Sequence, residues 1–194
     1  MFPVFLNLTG RRVLLVGAGG VAAGKLPPLL DAGADVTVVA PVIAPVIAAA
    51  RITAARRPFE PRDLDGVWYV VAAAPRDVNA EVAHEAALRG MFVNAVDDVE
   101  NASAYAGAVL RRGGVTIALS TDGEAPALAG LLREGLEAVL PDDLDAWMTC
   151  ARDVRRSWLA SGVPMDQRRP LLLEALLNLY ERRAVLATGR TGPV

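Results

Sequence analysis

Short apolar runs separated by polar turns fill the first half of the chain. Val13-Leu14-Leu15-Val16 is continuously apolar and ends in glycines. That is the pattern of a strand buried on both faces. Residues 25–32 follow as a helix stopped by Gly33, and residues 36–39 are a second, β-branched strand. Residues 41–50 read as a short helix or loop, 52–54 as a third strand, and the nearly continuous apolar run 67–73 as a fourth. Residues 77–89 read as a helix with Val82, Ala86 and Leu88 on one face and Gly90 as its stop. Residues 91–96 are a fifth strand. This alternation of strand and helix predicts an α/β fold with a doubly wound parallel sheet.

The second half has another character. One more strand, 115–119, follows a turn at Arg111-Arg112-Gly113-Gly114. After Pro126 the pattern is helical over 127–139, 142–160 and 168–187, with breaks at Pro141 and at Gly162-Val163-Pro164. The tail from Thr188 to Pro193 is expected to fray. No internal repeat or low-complexity tract interrupts the chain.

Composition narrows the class. The chain has 194 residues, 53% hydrophobic and 22% charged, enough to bury a sizeable core and too apolar for a disordered protein. A formal net charge of −2 gives no overall basic field, so no nucleic-acid partner is expected. One cysteine, Cys150, excludes a disulfide framework and a cysteine-rich zinc site. One histidine, His84, leaves no histidine pair, and no protein-held metal is expected. Met1-Phe2-Pro3-Val4-Phe5 has no basic stretch before an apolar run, unlike a secretory signal. The longest uncharged stretch, 36–50, has 15 residues and is broken by Pro41 and Pro45, too short to span a bilayer. A cytoplasmic protein is the expectation, with no membrane partner.

The glycine-rich loop carries the strongest chemical signal. The first strand runs into Val16-Gly17-Ala18-Gly19-Gly20-Val21-Ala22, a G-x-G-x-x-A between a strand and a helix. That is the dinucleotide fingerprint in its proper context. Gly17 permits the tight turn, Gly19 lets a pyrophosphate approach the backbone, and Ala22 keeps the helix close to the strand. The N–H groups of Gly20 and Val21 face the pyrophosphate. The plainer alternative is a tight turn that binds nothing. Residues 19–25 also fit G-x-x-x-x-G-K, but Leu26 stands where a phosphate-binding loop needs Ser or Thr for Mg²⁺. An NTPase is therefore not expected. The second strand ends Val39-Ala40-Pro41-Val42, without the carboxylate that usually holds the ribose 2′-hydroxyl. The adenosine must then rest on backbone and apolar contacts near Pro41 and Val42, and the residues alone leave NAD and NADP both open.

Two further segments follow strands. Asn94-Ala95-Val96-Asp97-Asp98 ends the fifth strand. A carboxylate there stands beyond the carboxyl end of the sheet, where ligands bind. Asp97 directly follows the apolar run and is the candidate proton acceptor; its alternative role is to cap a turn. Ser120-Thr121-Asp122-Gly123-Glu124-Ala125-Pro126 opens a helix, with Pro126 suited to its first turn. Its hydroxyls and N–H groups suit anionic ligand groups, while Asp122 and Glu124 oppose them. Six Arg-Arg pairs are mostly surface charge, with a minority suited to a polycarboxylate. His84 is expected on a helix surface and Cys150 in the core.

Taken together, these motifs resemble those of the precorrin-2 dehydrogenases, stand-alone relatives of the N-terminal half of siroheme synthase. The resemblance rests on Phe5-Leu6-Asn7-Leu8, the glycine loop with Lys25, residues 30–34, Asn94-Ala95-Val96-Asp97, and Ser120 to Ala129 with Leu132-Arg133. It covers about residues 1–145; the last ~50 residues match in being helical. It implies NAD-dependent oxidation of precorrin-2, a tetrapyrrole, to sirohydrochlorin, with Fe²⁺ as a further substrate in members that insert it. It implies Asp97 as acid–base group for both reactions, Ser120 and Thr121 near the tetrapyrrole, and NAD contacts at Gly20, Val21, Pro41 and Val42. With the fingerprint, the cofactor set is Gly17, Gly19, Gly20, Val21, Ala22, Pro41 and Val42. It also implies a homodimer and three parts: a Rossmann-type NAD-binding domain over 1–110, a dimerisation and substrate segment over 111–140, and a helical C-terminal domain over 141–194. The chain departs from the family at Ser103 to Ala108, where an aromatic and a proline are common, and at Ala72 to Asp77, where relatives often carry Thr-Asp. The competing readings are an NAD(P) oxidoreductase with another substrate and a nucleotide-sensing regulatory module.

Overall fold

A computed structural model describes residues 1–188, so the expected fraying beyond Thr188 lies outside the described residues. β1 (Arg12–Val16), β2 (Asp35–Val39), β3 (Thr53–Ala55), β4 (Tyr69–Ala72) and β5 (Val93–Ala95) form one sheet in the order β3-β2-β1-β4-β5. Every pairing in it is parallel. Between the strands run α1 (Gly20–Asp31), α2 (Pro45–Ala48) and α3 (Arg76–Leu88). The doubly wound α/β fold read from the sequence is the fold observed.

Strand side chains alternate between two cores, as the two-residue period requires. Val13, Leu15, Val36 and Val38 pack with Ala22, Leu26 and Leu29 of α1. Leu14, Val16, Val39 and Val70 pack with Leu64 and with Val82 and Ala86 of α3. Tyr69 lies in the first core, and burial pushes its hydroxyl pKa up to about 12. α1 begins at Gly20, five residues before the helix expected from the sequence, and carries Pro27 and Pro28 inside it. On α3 the inward stripe is Asn79, Val82 and Ala86, whereas Leu88, expected on that face, is 69% exposed. Leu88 is six residues past Val82 and falls off the helical stripe.

β6 (Ala108–Arg112) and β7 (Val115–Leu119) form a separate antiparallel hairpin. Gly113 and Gly114 join them with φ of +54° and +80°, both left-handed, as a two-residue type I′ turn requires. The sequence pattern places Arg111 and Arg112 in the turn; they are instead the last residues of β6, paired with Thr116 and Val115. After the hairpin come α4 (Pro126–Val139), α5 (Leu144–Ser161) and α6 (Met165–Thr188). The indole N–H of Trp147 on α5 donates to the Tyr180 hydroxyl on α6 at 2.5 Å. Cys150, expected in the core, is half-buried on α5.

The chain divides into two compact units. Met1–Ala106 joins with Ser120–Ala125 in one, and Gly107–Leu119 with the helices from Pro126 in the other. These units part the chain at places other than 110 and 140.

In the first unit a 3₁₀ turn at Pro61–Leu64 delivers Leu64, 1% exposed, to the core. Arg57 grips Asp63 with two parallel bonds, Nη1 to Oδ2 at 2.8 Å and Nη2 to Oδ1 at 2.5 Å. The Glu60 N–H donates to the same carboxylate at 2.9 Å. The Arg57 guanidinium holds the Asp63 carboxyl below its ordinary pKa, with the Glu60 N–H and Arg62 acting the same way. A carboxylate with a depressed folded-state pKa contributes stability above its unfolded value, near pH 4, and loses it as pH falls through the folded value. Asp63→Asn is therefore expected to destabilise the protein most near neutral pH. The gap to the parent in urea unfolding should narrow steadily below about pH 4.

Candidate functional site

The strand order reverses beside β1, which has β2 on one side and β4 on the other. In open parallel sheets a crevice opens there, outside the carboxyl ends of the strands. Three loops are tied together at that end. The Gly17 N–H donates to the Val39 carbonyl at 2.9 Å, Ala73 N–H to Val16 at 2.8 Å, and Val96 N–H to Ala72 at 2.8 Å.

Gly17 has φ of +97°, and a Cβ there would lie 2.3 Å from the Ala73 carbonyl oxygen. No other residue type fits this close crossing of two backbones. Gly19 and Gly20 are different: a Cβ at either meets nothing within 4 Å, so their glycines leave open space in front of the backbone. α1 starts in that space, with Gly19 as N-cap, no side-chain cap and no acidic residue in its first turn. The first N–H groups of a helix have no partner within it and carry the positive end of its dipole. Here they are those of Gly20, Val21 and Ala22. Ala22 is fully buried against the sheet, and Val21 is half exposed. This cradle fits a pyrophosphate.

Beyond β2, Ala40 N–H donates to Ala55 at 3.1 Å, and Ala44 N–H donates to Ala18 at 3.0 Å. The second bond ties the segment carrying exposed Pro41 and Val42 to the glycine loop. No acid stands at this end of β2.

Beyond β4 and β5 lies a cleft of about 390 Å³ lined by Ala74, Arg76, Asn79, Asp97 and Asp98, among others. Asp97 is exposed, has φ of +57° and makes no hydrogen bond or ion pair among the described residues. The left-handed region is open to Asp at modest cost. Its neighbour Asp98 is 8% exposed, accepts from Asn101 Nδ2 at 2.8 Å and lies 3.9 Å from Arg76 Nε. Arg76 also pairs with Glu100. One acid is thus committed to the structure, and the other is left free.

Sequence reasoning missed Asn79, which is 2% exposed and accepts the Ala74 N–H at 3.1 Å. The available signal was an asparagine standing on the apolar stripe with Val82 and Ala86. His84 is exposed on α3.

Ser120 and Thr121 belong to the same compact unit as Asp97. Ser120 Oγ accepts from Asp122 N–H and Thr121 Oγ1 from Ala125 N–H, each at 3.2 Å. Each hydroxyl keeps its own proton to donate. A Cβ at Gly123 would lie 2.9 Å from Val99 Cγ2, so this turn packs on the segment just after Asp98.

Fold and loop together define a dinucleotide-binding α/β protein. Residues 4–108 match the model of the family described as "Putative NAD(P)-binding", and the chain belongs to that family. Siroheme synthase 1 of Aeromonas salmonicida is 41% identical over 192 residues, covering 96% of this chain and 41% of that protein. The siroheme synthase of Photorhabdus laumondii is 40% identical over 172 residues, covering 86% of this chain and 37% of that protein. The chain therefore spans about two fifths of the length of the curated relatives it matches. Among solved structures, "SirC, precorrin-2 dehydrogenase" matches at TM-score 0.71 and 25% identity, covering 97% of this chain and 98% of that one. The resemblance read from the sequence motifs is the resemblance the comparisons return.

The two kinds of glycine should separate on substitution. Gly17→Ala is expected to cost about 3 kcal/mol or more of stability, from positive φ and backbone overlap. Gly19→Ala should cost well under the Gly17 substitution, a modest N-cap loss of about 1 kcal/mol, yet bind NADH at least about tenfold more weakly, because its methyl occupies the pyrophosphate's space. Thermal unfolding paired with fluorescence titration of NADH checks both.

Proposed function

We propose that the chain is an NAD-dependent precorrin-2 dehydrogenase that forms sirohydrochlorin. One observation carries the reading: a partner-free carboxylate, Asp97, at a cleft on the same sheet end as a helix N-terminus shaped for pyrophosphate. Likeness to a precorrin-2 dehydrogenase over nearly the whole of both chains supports it.

The oxidation removes a hydride and a proton from the macrocycle. NAD⁺, when bound, supplies the hydride acceptor. The N–H groups of Gly20 and Val21 hold its pyrophosphate, and Pro41 and Val42 support the adenosine by apolar contact. Asp97 takes the proton, and because it has no competing partner its lone pairs are available to the substrate. Ser120 and Thr121 donate their hydroxyl protons to substrate carboxylates while their oxygens go on accepting the turn's N–H groups. Fe²⁺ insertion would remove two pyrrole protons, and the same Asp97 serves that step with Fe²⁺ as substrate.

The proposed assembly is a homodimer built on the 111–140 segment. Its helix α4 exposes Leu128, Leu131, Leu132 and Val139, an apolar face that a second copy would cover. The C-terminal part over 141–194 completes each subunit, and 1–110 holds the cofactor. No described helix is long and apolar enough to cross a membrane. The proposed compartment is the cytoplasm, which suits a chain without a disulfide framework.

The test is anaerobic turnover of precorrin-2 with NAD⁺, followed by absorbance. Sirohydrochlorin should appear together with NADH, and adding Fe²⁺ should consume it faster than the uncatalysed rate. Asp97→Asn, which tolerates the left-handed backbone, should lower turnover by about 10²-fold or more while leaving NADH affinity within about twofold. Folded, NADH-binding protein that makes no sirohydrochlorin would move the reading to a nucleotide-sensing module.

A further inference from the structure

We propose that Asn79 binds the cofactor, its side-chain amide donating a hydrogen bond to an oxygen of the nicotinamide half of the dinucleotide. The inference rests on the dinucleotide reading and concerns a residue no sequence motif singles out.

Asn79 lies in the first turn of α3 and is 2% exposed. The Ala74 N–H can meet only an acceptor, so Oδ1 faces it, at 3.1 Å. That fixes the amide orientation and turns Nδ2 the other way. Nδ2 makes no hydrogen bond among the described residues. Yet among the described residues no fully buried side-chain nitrogen or oxygen lacks a partner. Nδ2 therefore keeps a small contact with solvent, and the open space beside Asn79 is the cleft it lines with Asp97 and Asp98. Water in the cleft is then its acceptor, and a ligand oxygen entering the cleft can take that water's place.

Position says which oxygen. The adenosine end belongs on the β2 side of β1, and the pyrophosphate at the start of α1. The cleft lies across β1, beyond β4 and β5, where the nicotinamide half of the molecule reaches. That half offers neutral acceptors, its ribose hydroxyls and its carboxamide oxygen, which suit a neutral donor. The residue type agrees. Holding the Ala74 N–H needs an acceptor alone, and an aspartate would supply it in the favourable first turn of a helix. Asparagine adds a donor at a residue that lines the cleft.

The experiment measures binding to the full chain, with no turnover involved. NADH and ADP are titrated by calorimetry at pH 8 into the parent, Asn79→Asp and Asn79→Ala. Asn79→Asp keeps the acceptor for Ala74 and removes the donor. It should bind NADH about tenfold more weakly than the parent and bind ADP within about twofold. Asn79→Ala should show the same loss of discrimination between NADH and ADP, and gives the ratio if the aspartate variant fails to fold. Unchanged NADH affinity in Asn79→Asp would overturn the proposal and leave Asn79 as a loop support. Equal losses for NADH and ADP in both variants would overturn it too. A parent that binds neither ligand would instead remove the dinucleotide reading beneath it.

Discussion

Two backbones cross at Gly17 and Ala73 with no room for a side chain between them. The crossing forces the chain leaving β1 into a left-handed turn and brings it against the chain leaving β4. The geometry of the whole sheet end depends on that turn. It aims α1 across one face of the sheet, leaves the helix's first N–H groups uncapped, and opens the crevice at the reversal of strand order. The buried strands supply the rigidity behind it. β1 is covered on both faces, so neither core can shift without moving the loop that the two share.

The adjacent carboxylates beyond β5 show how the fold assigns work. Both are aspartates, and in the sequence the place of Asp97 directly after the apolar run is what tells them apart. Asp98 turns inward to Asn101 and Arg76 and fixes the segment. Asp97 is thereby held in an uncommon backbone conformation with its carboxylate unengaged. Rigidity at one residue leaves the next one free, and a proton acceptor needs that combination: a fixed position and open lone pairs.

Much of the fold was legible in the chain. Four of the five strands announce themselves because parallel strands covered on both faces read as apolar runs, while β3, Thr53–Ala55, is an exposed edge strand. The glycine loop is legible because each glycine answers a steric demand. The hairpin of β6 was not, because Ala108 to Arg112 ends in two arginines and its pairing is set by two left-handed glycines that read equally well as a longer turn. The start of α1 was missed because glycines and prolines that usually punctuate helices sit inside this one, where packing of Ala22, Leu26 and Leu29 outweighs local preference. Asn79 was missed because an asparagine ordinarily faces solvent, and its place in line with Val82 and Ala86 is the one sign in the sequence that this one does not. The roles of Ser120 and Thr121 stayed open because the same oxygens that suit a ligand also cap their own turn.

That return has a consequence for how the molecule holds together. The chain leaves the first unit after Ala106, comes back for Ser120–Ala125, and leaves again, so three covalent passages join the two units. The nucleotide-binding part is consequently not a cassette. A truncation after Ala106 would strip it of the turn that packs on Val99, and no single cut yields either unit free of a piece of the other. A gene encoding this arrangement can lose or exchange its helical end after Ala125, but its sheet keeps the whole site only when the hairpin travels with it.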